Sequence, residues 1–152
     1  MSTLNQIAEN KRARFDYSII DTYECGMVLV GSEVKSLRAR HVNFGDAYAL
    51  LKNHEVFLLG LKIEPYTHGT HENHETDRTR KLLLNRKEIK KIERDTARKG
   101  LSLIPLKLYF KDGRAKVLIA IAEGKSKGDK RDTIKQREAD REVARVMHRG
   151  QR

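Results

Sequence analysis

Apolar and polar positions alternate through the first long apolar stretch of the chain. Tyr17, Ile19, Tyr23, Cys25, Met27 and Leu29 share one face, interrupted only by Asp21, while Ser18, Thr22 and Glu24 share the other. A period of two is the signature of a half-buried strand, and Gly26 inside it predicts a bulge or bend. Gly31 ends the run, and Ser32 is placed to cap a short helix over residues 33–38. Residues 46–51 and 55–63 predict a hairpin turning at Asn53-His54, with Pro65 closing it. A short apolar strand follows over 80–84. Asn85 and Glu88 form a capping box, and Ile89, Ile92 and Ala97 line one helical face until Gly100 stops the helix. Residues 103–110 and 115–122 predict two further strands joined at Asp112-Gly113, a strong hairpin pair. Pro105 requires its strand to lie at an edge or to bulge there.

About six strands and two helices, linked by hairpins with few crossovers, predict a mainly β fold with flanking helices. The architecture that fits is a small antiparallel β-barrel with a helix packed on it. That barrel core spans residues 15–122. Residues 1–14 are polar and predict a flexible leader. After Ala122 the apolar supply fails: residues 123–152 hold ten basic and six acidic residues, with Ile134, Val143, Val146 and Met147 the only large apolar ones. Such a segment predicts a tail that is disordered when free and helical on a partner.

Charge sharpens this picture. The chain of 152 residues carries a net charge of +11, with charged residues at 35% and hydrophobic ones at 38%. Residues 15–77 carry −5, whereas residues 78–99 alone carry +7 and the tail +4. Concentrated positive potential suits a polyanion. Nucleic acid is favoured over a membrane surface, because no amphipathic helix with a Trp or Phe face accompanies the charge. No run of eighteen apolar residues exists, so no membrane span is expected. Cys25 is the sole cysteine, which excludes an intrachain disulfide and suits a reducing cytoplasm. Aromatic residues are only 6% and tryptophan is absent. A platform that stacks single strands needs more, so gripping a folded RNA by shape and backbone is expected.

Within the basic stretch, Arg78, Arg80, Lys81, Arg86, Lys87, Lys90, Lys91 and Arg94 predict phosphate contacts through charge and bidentate Arg hydrogen bonds. The histidines His68, His71 and His74, with Glu72 and Glu75, have a spacing that invites a metal, but a solvated loop is the stronger reading. Ser32-x-x-Lys35 matches an acyl-enzyme motif without its companion elements. Cys25 falls on the apolar strand face as a core thiol. No catalytic residue, metal site or cofactor is therefore expected, and a general oligonucleotide-binding chaperone is the plainest alternative function.

Six stretches, in order, resemble the SsrA-binding protein family, SmpB. They are Asn10-Lys-Arg-Ala-Arg-Phe-Asp-Tyr17, Tyr23-Glu-Cys-Gly26 and Gly31-Ser-Glu-Val-Lys-Ser-Leu-Arg38. The other three are Arg78-Thr-Arg-Lys-Leu-Leu-Leu-Asn85, Pro105-Leu-Lys-Leu-Tyr-Phe-Lys111 and Gly128-Asp-Lys-Arg131. The resemblance covers about residues 8 to 149. It implies an oligonucleotide-binding-type barrel and a non-enzymatic, monomeric RNA-binding protein. That protein holds the tRNA-like domain of transfer-messenger RNA (tmRNA) and replaces its missing anticodon arm. It also implies delivery to a stalled 70S ribosome, where the nascent chain is tagged for proteolysis. Elongation factor Tu with GTP and alanyl-tRNA synthetase would be partners through the RNA.

By the same resemblance, Asn10, Glu24, Leu83 and Lys116 match RNA-surface positions, and Arg12 and Arg14 would add charge there. Glu24 would accept from base amino groups or ribose hydroxyls, and Leu83 would touch an exposed base. Lys125, Lys127, Asp129, Lys130 and Arg131 match the segment that meets the decoding centre. Val146 and Met147 match a hydrophobic pair nearer the end of that tail, which the resemblance places in the decoding centre and the messenger channel. Two positions depart from the family pattern. Gly128 stands where an aromatic or histidine would stack, leaving Lys127 or Lys130 to compensate, and Phe15 stands for a common histidine.

Overall fold

The computed structural model describes residues 4–66, 74–97, 100–125 and Arg141. Among these described residues, nine strands and three helices follow in the order β1 (Leu4–Glu9), α1 (Lys11–Asp16), β2 (Tyr17–Met27), α2 (Gly31–Arg38), β3 (Val42–Asn43) and β4 (Tyr48–Lys52). Then come β5 (Glu55–Leu59), β6 (Lys62–Ile63), β7 (Arg80–Leu83), α3 (Arg86–Thr96), β8 (Leu101–Lys111) and β9 (Arg114–Gly124). Six strands pair antiparallel in a ring, β8-β4-β5-β7-β2-β9 and back to β8, with β1 added outside on β8. β3 and β6 form a separate two-stranded piece.

Cys25, Val56, Leu58, Leu82, Leu108, Val117, Ile119 and Ile121 point into the ring, and Leu37 of α2 and Ile92 of α3 plug it. Each such side chain withdrawn from water contributes roughly 1.5–3 kcal/mol. The two tight hairpins form where left-handed backbone is available. Asn53 and His54 have φ of 52° and 60°, and Asp112 and Gly113 have 50° and 78°, the geometry of type I′ turns.

The ring is not a closed barrel. β4 meets β8 at one pair, Ala49 opposite Leu103. Further along the same edge of β8, β1 pairs from Lys107 to Lys111. Pro105 sits between these two partners with no N–H to offer, and the ladder to β9 shifts register just after it. The expectation of a flexible leader over residues 1–14 is thereby corrected from Leu4 onward. β1 supplies edge hydrogen bonds and buries Ile7, and α1 buries Ala13 against Ile104, Leu106, Ala120 and Ala122 on the outer face. Polar side chains at Asn5, Gln6 and Glu9 conceal such an edge strand, because its stability comes from the backbone ladder.

Two local expectations also change. Gly26 does not bulge; the register shift in β2 lies between Ile19 and Asp21, and it puts Tyr17 and Ile19 on the outer face beside Ala13, opposite the core face of Tyr23 and Cys25, instead of on one shared face. Ser32 does not cap α2. The helix begins two residues earlier, Glu33 Oε1 accepts from Val30 N–H at 2.9 Å, and the Ser32 hydroxyl bonds instead to His74 Nδ1 at 2.8 Å.

Candidate nucleic-acid interface

Residues directly opposite each other in an antiparallel sheet share a face. One such row crosses five strands: Leu83 of β7, Gly26 of β2, Lys116 of β9, Tyr109 of β8 and Gln6 of β1. The row lies on the outside of the ring, since its strand neighbours Cys25, Leu82, Leu108 and Val117 face the core. Two of the expected residues, Leu83 and Lys116, therefore come together. Glu24 is two positions before Gly26 and lies on the same face.

Glu24 is held in place. Its side chain reaches across β9, where Tyr109 Oη donates to Oε2 at 2.5 Å and Lys111 Nζ donates to Oε1 at 3.3 Å. The Tyr109 hydrogen bond first, helped by Lys111 and the charge of Lys116, holds the carboxyl below its ordinary range despite the opposing effect of burial. Burial, then the bond to Glu24, pushes the Tyr109 hydroxyl well above its usual range, so it stays a donor. Each carboxylate oxygen keeps an acceptor direction for an incoming amino or ribose hydroxyl group.

Leu83 is 52% exposed, a large value for leucine on a sheet. Its side chain lies over Gly26: a Cβ added there would meet Leu83 Cβ at 3.3 Å. The glycine thus leaves room for an apolar step beside Lys116.

The N-terminal group sits further along the same outer face, around α1. Asn10 Nδ2 donates to the Pro105 carbonyl at 2.9 Å and Asn10 N–H to the Leu106 carbonyl at 2.7 Å, pinning the start of α1 to β8. Arg12 and Arg14 are exposed on that helix, Arg12 lying 3.3 Å from Asp16. Lys125, where the tail begins, is tied there too. Its N–H donates to the Asp16 carbonyl at 2.9 Å and its Nζ to the Arg14 carbonyl at 3.3 Å. Lys127, Asp129, Lys130, Arg131, Val146 and Met147, and with them the expected disorder of the free tail, lie outside the described residues.

Arg80 is corrected. It is wholly buried, with Nε donating to Glu33 Oε2 and Nη1 to the Leu61 carbonyl, each at 2.6 Å, and Nη2 to the Thr76 carbonyl at 3.1 Å. Its side chain is sealed from solvent and spent on these partners, so it organises the fold and is not placed to meet a phosphate. Arg78 joins it on Glu33 at 2.6 Å. His74 also has a structural part: Nε2 donates to the Ile63 carbonyl at 2.8 Å while Nδ1 accepts from Ser32. Neither nitrogen is left for a metal, and His68 and His71 lie outside the described residues. Among the described residues no helix is long and apolar enough to cross a membrane.

Tyr109 and Lys111 went unread in the sequence, although a signal existed. The two-residue turn at Asp112-Gly113 sets Lys111 opposite Arg114 and hence Tyr109 opposite Lys116. That Glu24 meets Tyr109 depends on β2 docking against β9, which no local pattern announces.

The family described as SmpB protein matches residues 7–149. An SsrA-binding protein of Streptococcus pneumoniae (strain Hungary19A-6) is 52% identical over 141 residues, covering 93% of this chain and 91% of that protein. Another, from strain P1031, is 51% identical over the same length. A chain solved under the description "tmRNA-SmpB: a journey to the center of the bacterial ribosome" superposes with a TM-score of 0.68 at 44% identity. That match covers 84% of this chain and 93% of the other.

Proposed function

This chain belongs to the SmpB family, and from that we propose how its surfaces divide the work of ribosome rescue. The protein binds tmRNA and delivers it to the ribosome in trans-translation. The observation that carries our reading of the site is the outer-face row that joins Leu83, Lys116 and the oriented carboxylate of Glu24. It offers an acceptor, a cation and an apolar step side by side. That combination suits a folded RNA with an exposed base and ribose hydroxyls better than a plain phosphate track. Asn10, Arg12 and Arg14 extend the contact along α1. The tail, from Lys125 through Lys127, Asp129, Lys130 and Arg131 to Val146 and Met147, enters the decoding centre and messenger channel. Its root beside α1 lets a single body bridge RNA and ribosome. Elongation factor Tu with GTP and alanyl-tRNA synthetase act through the bound RNA, and the protein works as a monomer without catalysis of its own.

The test is a titration of the full chain with the tRNA-like domain and with an unrelated duplex of equal length, at physiological salt. Preference for the tRNA-like domain, lost on Glu24→Gln, is the expected result. Equal affinities would reject the assignment in favour of a general oligonucleotide binder.

A further inference from the structure

Five of the eight cations in the basic stretch have an acidic partner in the structure. Arg78 and Arg80 hold Glu33, Lys81 pairs with Glu55 at 2.9 Å, Lys91 with Asp21 at 2.8 Å, and Arg94 lies 3.7 Å from Asp95. Arg86, Lys87 and Lys90 are different. All three are exposed and none meets an acid among the described residues.

Their placement works against the helix that carries them. Arg86 and Lys87 stand in the first turn of α3, the positive pole of its dipole, where cations lower helix stability. Arg86 and Lys90 are four apart and repel each other across one turn. Local rules broken without a compensating interaction mark a surface kept for a ligand. The capping box already uses the Asn85 and Glu88 N–H groups, at 3.2 and 2.9 Å, so the three side chains would carry most of the hold on an anion.

Arg86 and Lys90 also line an open groove of about 550 Å³ between α3, β7 and the turn of the β4–β5 hairpin. Leu82, Leu84 and Ile89 give it an apolar floor. Leu83, the exposed end of the cross-strand row, lines it as well. The groove is therefore continuous with the Glu24–Leu83–Lys116 face.

We propose that Arg86, Lys87 and Lys90 form a second phosphate grip, which continues that face around the edge of β7 onto α3 and holds another stretch of the same tmRNA backbone. The inference rests on tmRNA as the ligand. An RNA strand is the partner the groove fits, since it brings phosphates for the rim and a ribose or base for the apolar floor beside Leu83.

The experiment uses the full chain carrying Arg86→Gln, Lys87→Gln and Lys90→Gln together. Affinity for the tRNA-like domain is measured over a range of salt, beside the unrelated duplex and a thermal melt. The melting temperature should be equal to or above that of the parent, because repulsion is relieved. Affinity should fall about tenfold or more, and the log–log salt slope should flatten by about 2–3, near 0.9 for each phosphate left unneutralised. A parent without preference for the tRNA-like domain would remove the RNA assignment itself. A parent with that preference, and a variant unchanged in affinity and slope, would overturn the second grip alone. A variant with intact RNA affinity but impaired tagging on ribosomes would overturn it too, by placing the surface against another ligand.

Discussion

Arg80 Nε donates to Glu33 Oε2 at 2.6 Å, and neither side chain keeps any exposure to solvent. This pair ties α2 to β7. Arg80 also ties down the Leu61 and Thr76 carbonyls, so one guanidinium holds three chain segments together. Removing one member of a buried ion pair leaves the other uncompensated, at a cost of about 3–5 kcal/mol. Arg80→Gln should therefore lower the melting temperature strongly, whereas Arg12→Gln, on the exposed face of α1, should leave it nearly unchanged. A thermal melt of the two variants checks this.

The same pair gives the protein an acid-sensitive joint. Burial alone would raise the Glu33 carboxyl, but hydrogen bonds from Arg78, the Val30 N–H and Arg80 outweigh it and hold the group below its ordinary 4.5. A carboxyl depressed in the fold contributes stability that is full above its unfolded value and is lost as pH falls through its folded value. The melting temperature should hold through neutral pH and drop below about 4.5. In Glu33→Gln the neutral value should be lower and the acid limb shallower. An acid limb as steep as the parent's would assign it to other carboxylates.

Tyr109→Phe removes the donor that orients Glu24. A hydrogen bond to a charged group is worth about 1.5–3 kcal/mol when sheltered, and partial exposure here brings the expected stability cost to about 1 kcal/mol. Affinity for the tRNA-like domain should drop several-fold, because the carboxylate keeps only Lys111 and must be ordered when RNA binds. An unchanged affinity would show that Glu24 needs no such support.

Gly26→Val should act through Leu83. The backbone at Gly26 is extended in β2, so the strand tolerates a side chain. The new Cβ, however, stands 3.3 Å from that of Leu83, and the valine methyls must displace it. RNA affinity should fall, and Leu83→Ala should cost much less in the Gly26→Val background than alone. Additive effects in this double-mutant cycle would mean that the two positions are independent.

Deletion of every residue after Lys125 should leave RNA affinity near that of the parent while abolishing tagging on stalled ribosomes. Joint loss of both would place the tail within the RNA site. Cys25 supplies an internal check on the fold during such work. It is fully buried, and burial pushes its thiol up to about 12, so alkylation at neutral pH should follow unfolding and not precede it.

Local signals were legible where one short stretch suffices. The turns at Asn53-His54 and Asp112-Gly113, the capping box of Asn85 and Glu88, and the alternation from Tyr17 onward each depend on neighbours within a few residues. The edge strand β1 was not legible, because the hydrogen bonds that hold it come from β8, about a hundred residues away, and its side chains carry little apolar pattern. Nor was the fate of Arg80, which looks like any other cation of its stretch until Glu33 of α2 is brought against it.

By itself the sequence determined the hairpins, the mainly β character, the polyanion preference and the family, since these follow from composition and short-range order. Tertiary structure alone decided which cations are paired with acids in the fold and which stay exposed and unpaired among the described residues. It also decided that Glu24, Tyr109, Lys111 and Lys116 share one face, and that β1 pairs on the outer edge of β8. The physical reason is common to all three: burial and charge pairing are settled between strands far apart in the chain, where no local pattern reaches.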